Sequence, residues 1–209
     1  MHFNIPPQPW QGNPEAKLWV LLTNPGYKDE DASFYSEPKH RKAPLAQLQF
    51  KRLERQHWHY VMNDEHRNWN GNDGRNDGSY SWIWFRDRFV EPVKKVLGIG
   101  NEKAFEWLDK NVFLLQTHGY ASEESIDDIY LYFHSQARFI RKLLQWGVEN
   151  KKIMYIVRKE VLWRYWLDDT KDISKQMIED KQIKVNENPR NSNLPLDIIQ
   201  RIDGLNKGK

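Results

Sequence analysis

The chain has 209 residues, a formal charge of +3 and no cysteine, which excludes disulfides, thiolate catalysis and Cys-based zinc sites. So small a charge permits a polyanionic partner without demanding one. No apolar run approaches membrane length, and the opening MHFNIPPQPWQGNP has no apolar signal-peptide core, so a cytoplasmic protein without a membrane partner is the expectation. Hydrophobic residues make up only 39%, but ten Trp, nine Tyr and nine Phe bury large areas each and compensate in part.

Residues 1–16 read as an extended lead-in, because Pro6, Pro7, Pro9 and Pro14 disfavour helix. The first strand is KLWVLL, residues 17–22, an apolar run that breaks into Thr23-Asn24-Pro25-Gly26-Tyr27. After a polar loop, Pro44 opens a helix that brings Ala46, Phe50, Leu53 and His57 to one face. The segment 63–81 is rich in Asn, Asp and Gly and reads as a flexible loop. A helix then carries Trp82, Phe85, Phe89, Val93 and Val96, with Pro92 predicting a kink or a restart and Gly98 and Gly100 ending it. Asn101 suits the cap of a short helix, EKAFEWLDK.

The second strand is residues 112–115, followed by Gln116-Thr117-His118-Gly119-Tyr120. A helical region over 125–148 spaces Ile129, Phe133, Ala137, Ile140 and Leu144 by three or four, and Gly147 marks its end. The third strand is residues 152–157, and the helix KEVLWRYWLDD follows, with Trp163 and Trp166 on one face toward the core. The fourth strand is residues 181–186. A loop ENPRNSNLP and a last short helix LDIIQRI precede a solvated tail, 204–209. Alternation of strands and helices predicts one three-layer α/β/α sandwich with a four-stranded, mainly parallel sheet.

In such sheets ligands bind outside the carboxyl ends of the strands, so the segments just after each strand are the candidate site. They are TNPGY, QTHGYAS, RKE and NENPRNSNLP, rich in amides, hydroxyls and aromatics, with no carboxylate pair and no Ser-His-Asp spacing.

This set resembles the uracil-DNA glycosylase superfamily, above all its mismatch-specific thymine/uracil branch. That branch has a strand ending in G-x-N-P-G and a later motif beginning Asn-Pro-Ser. Here stand Leu22-Thr23-Asn24-Pro25-Gly26 and Asn188-Pro189-Arg190-Asn191-Ser192, with Val112-Phe113-Leu114-Leu115-Gln116 as the middle strand. The resemblance implies the family's fold and excision of a flipped-out damaged or mismatched base from DNA, as in DNA repair. Asn24 would hold the attacking water. Thr23, Pro25, Gly26, Tyr27, Gln116 and His118 would surround the base, with Gln116 reading its edge through an amide that both donates and accepts. Asn188, Pro189, Arg190, Asn191 and Ser192 would press on the minor groove, and Lys28, Arg158 and Lys159 would meet phosphates. It implies no metal and no organic cofactor, and DNA as the partner; the sequence leaves the oligomeric state open, with a monomer as the expectation.

Two other readings remain. A non-catalytic module that binds a nucleotide, a nucleic acid or a protein on the same fold would suit Leu22 in place of the turn's glycine, Gln116 in place of Asn, Arg190 in place of Ser, and the acidic run Asp29-Glu30-Asp31. A metal-dependent phosphodiesterase would use His59, Asp64 and His66.

Overall fold

The computed structural model describes residues 9–23, 84–119, 136–168, 173–186 and 194–207, together with 32, 36, 38 and 41. The expected helix after Pro44, the loop 63–81 and the stretch 125–135 lie outside the described residues, as do His57, His59, Asp64 and His66.

The described strands are β1 (Trp10–Gly12), β2 (Leu18–Leu22), β3 (Val112–Gln116), β4 (Ile153–Ile156) and β5 (Ile183–Val185). They form one sheet in the order β1-β3-β2-β4-β5. The last four are parallel, and β1 runs antiparallel along the edge of β3. The expected mixed α/β class with a mainly parallel sheet is therefore present, but with five strands instead of four. The additional strand lies in what the proline-rich sequence suggests is only lead-in. Three residues carry no periodicity of their own, and β1 exists through nonlocal pairing: Trp10 opposite Leu115 and Gly12 opposite Phe113.

β2 is the central strand. It pairs with β3 on one side, Leu18 opposite Val112 through Leu22 opposite Gln116, and with β4 on the other, Leu18 opposite Ile153 through Leu21 opposite Ile156. Its five residues are all buried. That explains why LWVLL does not alternate with polar residues: a parallel strand covered on both faces has no solvent side. Alternate side chains go to opposite layers. Leu18, Val20 and Leu22 join a core with Phe85, Phe89, Val93, Leu108, Ile199 and Ile202, whereas Trp19 and Leu21 join Phe113, Ile140, Leu144, Trp163 and Trp166. Trp19 fixes the second layer, with its ring 4.8 Å from Phe113 and its indole N–H donating to the Pro14 carbonyl at 3.2 Å.

The first layer holds a π-helical turn at Arg86–Val90, α1 (Glu91–Leu97), α2 (Asn101–Asn111) and the last helix, α6 (Leu196–Lys207). The π turn is how the chain accommodates Pro92. A proline inside a helix removes one N–H and crowds the carbonyl four residues back. Here the Glu91 N–H reaches back five residues to the Arg86 carbonyl. The Arg88 carbonyl, which Pro92 cannot serve, accepts the Leu194 N–H at 2.9 Å instead. The expected kink thus becomes a tie between this helix and the approach to α6. Gly98, in the left-handed region at φ 65°, ends α1 as expected. Asn101 is not the cap of α2: Gly100 occupies that position without a side-chain hydrogen bond, and Asn101 is the first helical residue.

The opposite layer holds α3 (Ala137–Glu149), α4 (Glu160–Leu167) and α5 (Ile173–Glu179). Ala137, Ile140 and Leu144 face the core, as their spacing predicts. Gly147 does not end α3. It lies within the helix because a Cβ there would come within 3.0 Å of both Trp19 and Met154, so its absence lets the helix sit close on the sheet. The helix ends two residues later. There the Lys152 N–H returns to the Gly147 carbonyl at 2.9 Å and the Lys151 N–H to that of Val148 at 3.0 Å, a Schellman closure. α6 also outruns its expectation, passing through residues 204–207. Its Asn206 accepts from the Lys17 ammonium at 2.7 Å and donates to Asn111 at 3.1 Å, at the amino ends of β2 and β3.

Candidate functional site

The direction of travel across the sheet reverses beside β2. From β2 the chain steps to β3 on one side, through helices of the first layer. From β4 it steps to β5 on the other side, through helices of the opposite layer. In open α/β sheets the crevice that takes a ligand lies at such a reversal, outside the carboxyl ends of the two strands. Here that point is flanked by Leu22-Thr23 after β2, Gln116-Thr117-His118 after β3 and Val157-Arg158-Lys159 after β4.

The backbone there is fully committed. The Gln116 N–H donates outward to the Pro9 carbonyl at 2.9 Å, but the next two N–H groups both turn toward β2: Thr117 to the Leu22 carbonyl and His118 to the Thr23 carbonyl, each at 3.1 Å. Successive N–H groups of a regular strand point to opposite sides, so the chain rotates at Thr117. The Thr117 hydroxyl also donates to the Thr23 carbonyl, which clamps the end of β2 to the end of β3. Gly119 continues the turn, its N–H donating to the Gln136 side chain at 3.1 Å. A Cβ on Gly119 would meet Pro9 at 2.9 Å, so only glycine lets the chain entering β1 cross at this point.

This clamp buries three polar side chains in a row. Gln116, Thr117 and His118 are 3%, 0% and 2% exposed. Buried polar atoms are nearly always hydrogen-bonded, and an orphan costs about 1–3 kcal/mol. Among the described residues two orphans occur here: the Gln116 amide oxygen and the Thr23 hydroxyl. They sit on paired strands, Leu22 being opposite Gln116 and Thr23 the next residue. Gln116 follows Val112 and Leu114 on its strand and so faces the first layer, as Leu22 does. A ligand that brings an N–H or O–H to this point would satisfy an acceptor that the fold leaves open.

No protein-family model, curated protein or solved structure matches the chain. The site is therefore read from its own residues.

Of the candidate residues, the structure brings Thr23, Gln116 and His118 together through the clamp. Arg158 and Lys159 stand at the end of β4, one strand beyond β2, Arg158 exposed and Lys159 half-buried. Lys159 occupies the left-handed region at φ 57° as the residue before α4. Asn24, Pro25, Gly26, Tyr27 and Lys28 lie outside the described residues, as do Asn188, Pro189, Arg190, Asn191 and Ser192. The points where the chain leaves for these two segments are described. Thr23 ends β2, and Asn186 follows β5 with its N–H on the Ile156 carbonyl at 2.8 Å. β4 lies between them, so the two exits are roughly 10 Å apart at ordinary strand spacing.

Sequence reasoning gave no role to Thr117, Gly119, Gln136 or Pro9. The Thr-His-Gly run after a strand was the only local signal, because the partners of these residues are 17 to 110 positions away. Behind the site, Tyr155 on β4 is buried in the first layer. Burial, and then the carboxylate of Asp197 near the start of α6, push its phenol up to about 12. Burial alone would raise the Asp197 carboxyl as well. The Lys184 ammonium, 2.7 Å from both its oxygens, and the backbone N–H groups of Asp197 and Ile198 outweigh that and hold it below its usual range. Among the described residues no group of three His, Asp or Glu side chains is placed to hold a metal ion.

Proposed function

We propose that the chain is a uracil-DNA glycosylase-like protein that recognises a flipped-out base in nucleic acid and hydrolyses its N-glycosidic bond. The observation that carries this reading is the orphaned, buried amide oxygen of Gln116, held beside Thr23 where the sheet reverses direction and immediately before Asn24-Pro25-Gly26. A pyrimidine or purine edge offers N–H donors to such an acceptor, and the fold meets the desolvation cost before the ligand arrives. The chain enters Asn188-Pro189-Arg190 from the same edge. Arg158 and Lys159 supply positive charge beside it, as phosphates require.

In this reading Asn24 positions water. An amide is too weak a base to deprotonate it, so the rate rests on orientation and on stabilising the departing base anion, with Gln116 and His118 on the base side. Thr23 lends its hydroxyl and Tyr27 stacks on the base.

A second reading has its own observation. Leu22 fills the position where the related turn has glycine, and its side chain is buried in the same layer that Gln116 faces. A pocket narrowed in this way suits a module that binds a nucleotide or base without cleaving it.

Duplex and single-stranded oligonucleotides carrying uracil, hypoxanthine or mismatched thymine distinguish the two. Incubation followed by alkali reports abasic sites. Excision predicts strand breaks with at least one of these bases, lost in Asn24→Ala and in Gln116→Met. Base-selective binding without breaks establishes the module, and neither breaks nor base-selective binding overturns both readings.

A further inference from the structure

The net charge of +3 conceals a segregation. Residues 137–167, which make up α3, β4 and α4, hold eight Lys or Arg against two Glu, an excess of six, whereas the described first-layer stretches 84–111 and 194–207 hold eight against seven Asp or Glu. Six of the eight lie near the carboxyl edge of the sheet. α3 begins at that edge, because Gln136 just before it accepts the Gly119 N–H, and it ends at the opposite edge, where Lys151 and Lys152 lead into β4. α4 begins there too, directly after β4. Arg138, Arg141 and Lys142 therefore occupy the first two turns of α3, and Arg158, Lys159 and Arg164 the start of α4 and its first turn and a half.

The two helices meet side by side: the Arg141 guanidinium lies 6.0 Å from the centre of the Tyr165 ring. Tyr165 itself is 50% exposed. A cationic band with an exposed ring held in its midst is the arrangement that tracks a sugar–phosphate backbone and stacks a base. An anionic membrane would take such charge as well, but a helix lying on a bilayer needs its apolar stripe outward. The stripe of α3, Ala137, Ile140 and Leu144, is spent on the core, and besides Tyr165 each helix exposes a single large apolar side chain, Phe139 on α3 and Val161 on α4, which is no stripe.

We propose that the upper half of the α3–α4 layer is a binding track for one strand of nucleic acid, running from the carboxyl edge of the sheet down between the two helices. The track shares Arg158 and Lys159 with the proposed excision site and extends beyond it, and it does not require base excision, for it uses phosphate charge and stacking without reading a base edge.

The test uses the full chain and a labelled oligothymidine of about twenty nucleotides, titrated at several salt concentrations. Arg138→Glu/Arg141→Glu/Lys142→Glu should weaken binding about tenfold or more at 0.1 M salt. It should also flatten the slope of log K against log salt by about two, given roughly 0.7 per phosphate contact on a single strand. Lys95→Glu/Lys103→Glu/Lys110→Glu changes the total charge equally on exposed positions of α1 and α2 and should leave the slope unchanged. Tyr165→Ala should cost about fivefold with the slope intact. If the reversal variant loses its circular dichroism, the milder Arg138→Gln/Lys142→Gln should flatten the slope by about 1.4.

Equal losses in the two triple variants overturn the proposal. So does a wild-type protein that binds no oligonucleotide, or one that binds phosphatidylserine vesicles in preference to it. Gln116→Met separates this proposal from the preceding one: it keeps the salt slope, which the phosphate contacts set, while losing base release or base selectivity.

Discussion

At the scale of single residues, the carboxyl edge of the sheet is where local rules of stability are set aside. Among the described residues the Gln116 oxygen is buried without a partner, and so is the Thr23 hydroxyl on the neighbouring strand. Among the described residues Gln11, Asn101 and the indoles of Trp107, Trp163 and Trp166 also each leave a buried polar atom without a hydrogen bond, whereas other buried polar groups are served. The Asn111 amide donates to the Trp107 carbonyl at 2.8 Å, and the Lys152 ammonium to the Glu15 carbonyl at 2.8 Å. What sets the Gln116 oxygen apart is its place at the carboxyl end of β3, where a ligand of an open α/β sheet would reach it. The energetic consequence can be measured. Gln116→Met keeps the volume and removes the orphan, so it should stabilise the free protein by about 1 kcal/mol, read as a higher urea midpoint at unchanged m. The same variant should lose base recognition. Destabilisation by more than about 1 kcal/mol would mean that the amide has a structural partner and that the site is not waiting for a ligand. Gly119 belongs to the same group of residues, since the contact with Pro9 that forbids a Cβ is what holds the chain into β1 over the Thr117 turn.

At the scale of elements, the sequence was legible where the signal is local. The apolar runs expected as strands at 17–22, 112–115 and 152–157 are buried parallel strands at 18–22, 112–116 and 153–156, and the spacing of Ala137, Ile140 and Leu144 announces the inner face of α3. It was illegible where a long-range partner decides. β1 exists only against β3, Gly147 is explained by Trp19 and not by a helix end, and α6 runs on because Asn206 reaches Lys17 and Asn111. The helix ends before β4 and β5 were hidden for another reason. Both close through a left-handed lysine, Lys151 at φ 52° and Lys181 at φ 57°, where glycine is the usual residue. At α5 the Gln182 N–H returns to the Met177 carbonyl at 2.7 Å and the Lys181 N–H to that of Ile178 at 3.0 Å, matching the closure of α3. A left-handed L-residue costs about 1–2 kcal/mol, of which glycine returns part through its freer unfolded chain. Lys151→Gly and Lys181→Gly should therefore each stabilise the protein by about 0.5–1 kcal/mol, roughly 1–3 °C in Tm for a chain of this size. Lys→Ala at the same positions should give no gain. If glycine and alanine behave alike, the lysines are not strained, and the closures owe nothing to backbone conformation.

At the scale of the whole molecule, the two faces of the sheet do different work. Among the described residues the α3–α4 face carries the excess positive charge, whereas the π turn, α1, α2 and α6 form the layer that Gln116 and Leu22 face. β4 joins the two, and its Tyr155 tests whether the first layer holds together as the carboxyl edge requires. The phenol is buried under α6, and burial first, then the Asp197 carboxylate, raise it to about 12 from an ordinary value near 10. The native state therefore binds a proton that the unfolded chain releases earlier. Stability from this group is complete below pH 10 and declines as the pH rises from about 10 to about 12, by at most about 2–3 kcal/mol. Tyr155→Phe has no proton to lose, so its stability should differ from wild type by a constant amount up to about pH 9.5 and should then fall less steeply. Urea unfolding at pH 8, 9.5, 10.5 and 11.5 reads the difference between the two proteins, in which other alkaline titrations cancel. Asp197→Asn removes the lesser cause and leaves burial, so it should keep the onset near pH 10 and move only the upper end of the decline slightly toward lower pH. Parallel curves for wild type and Tyr155→Phe would show that α6 does not seal β4 from water, and the layer against which Gln116 is buried would then be open to solvent.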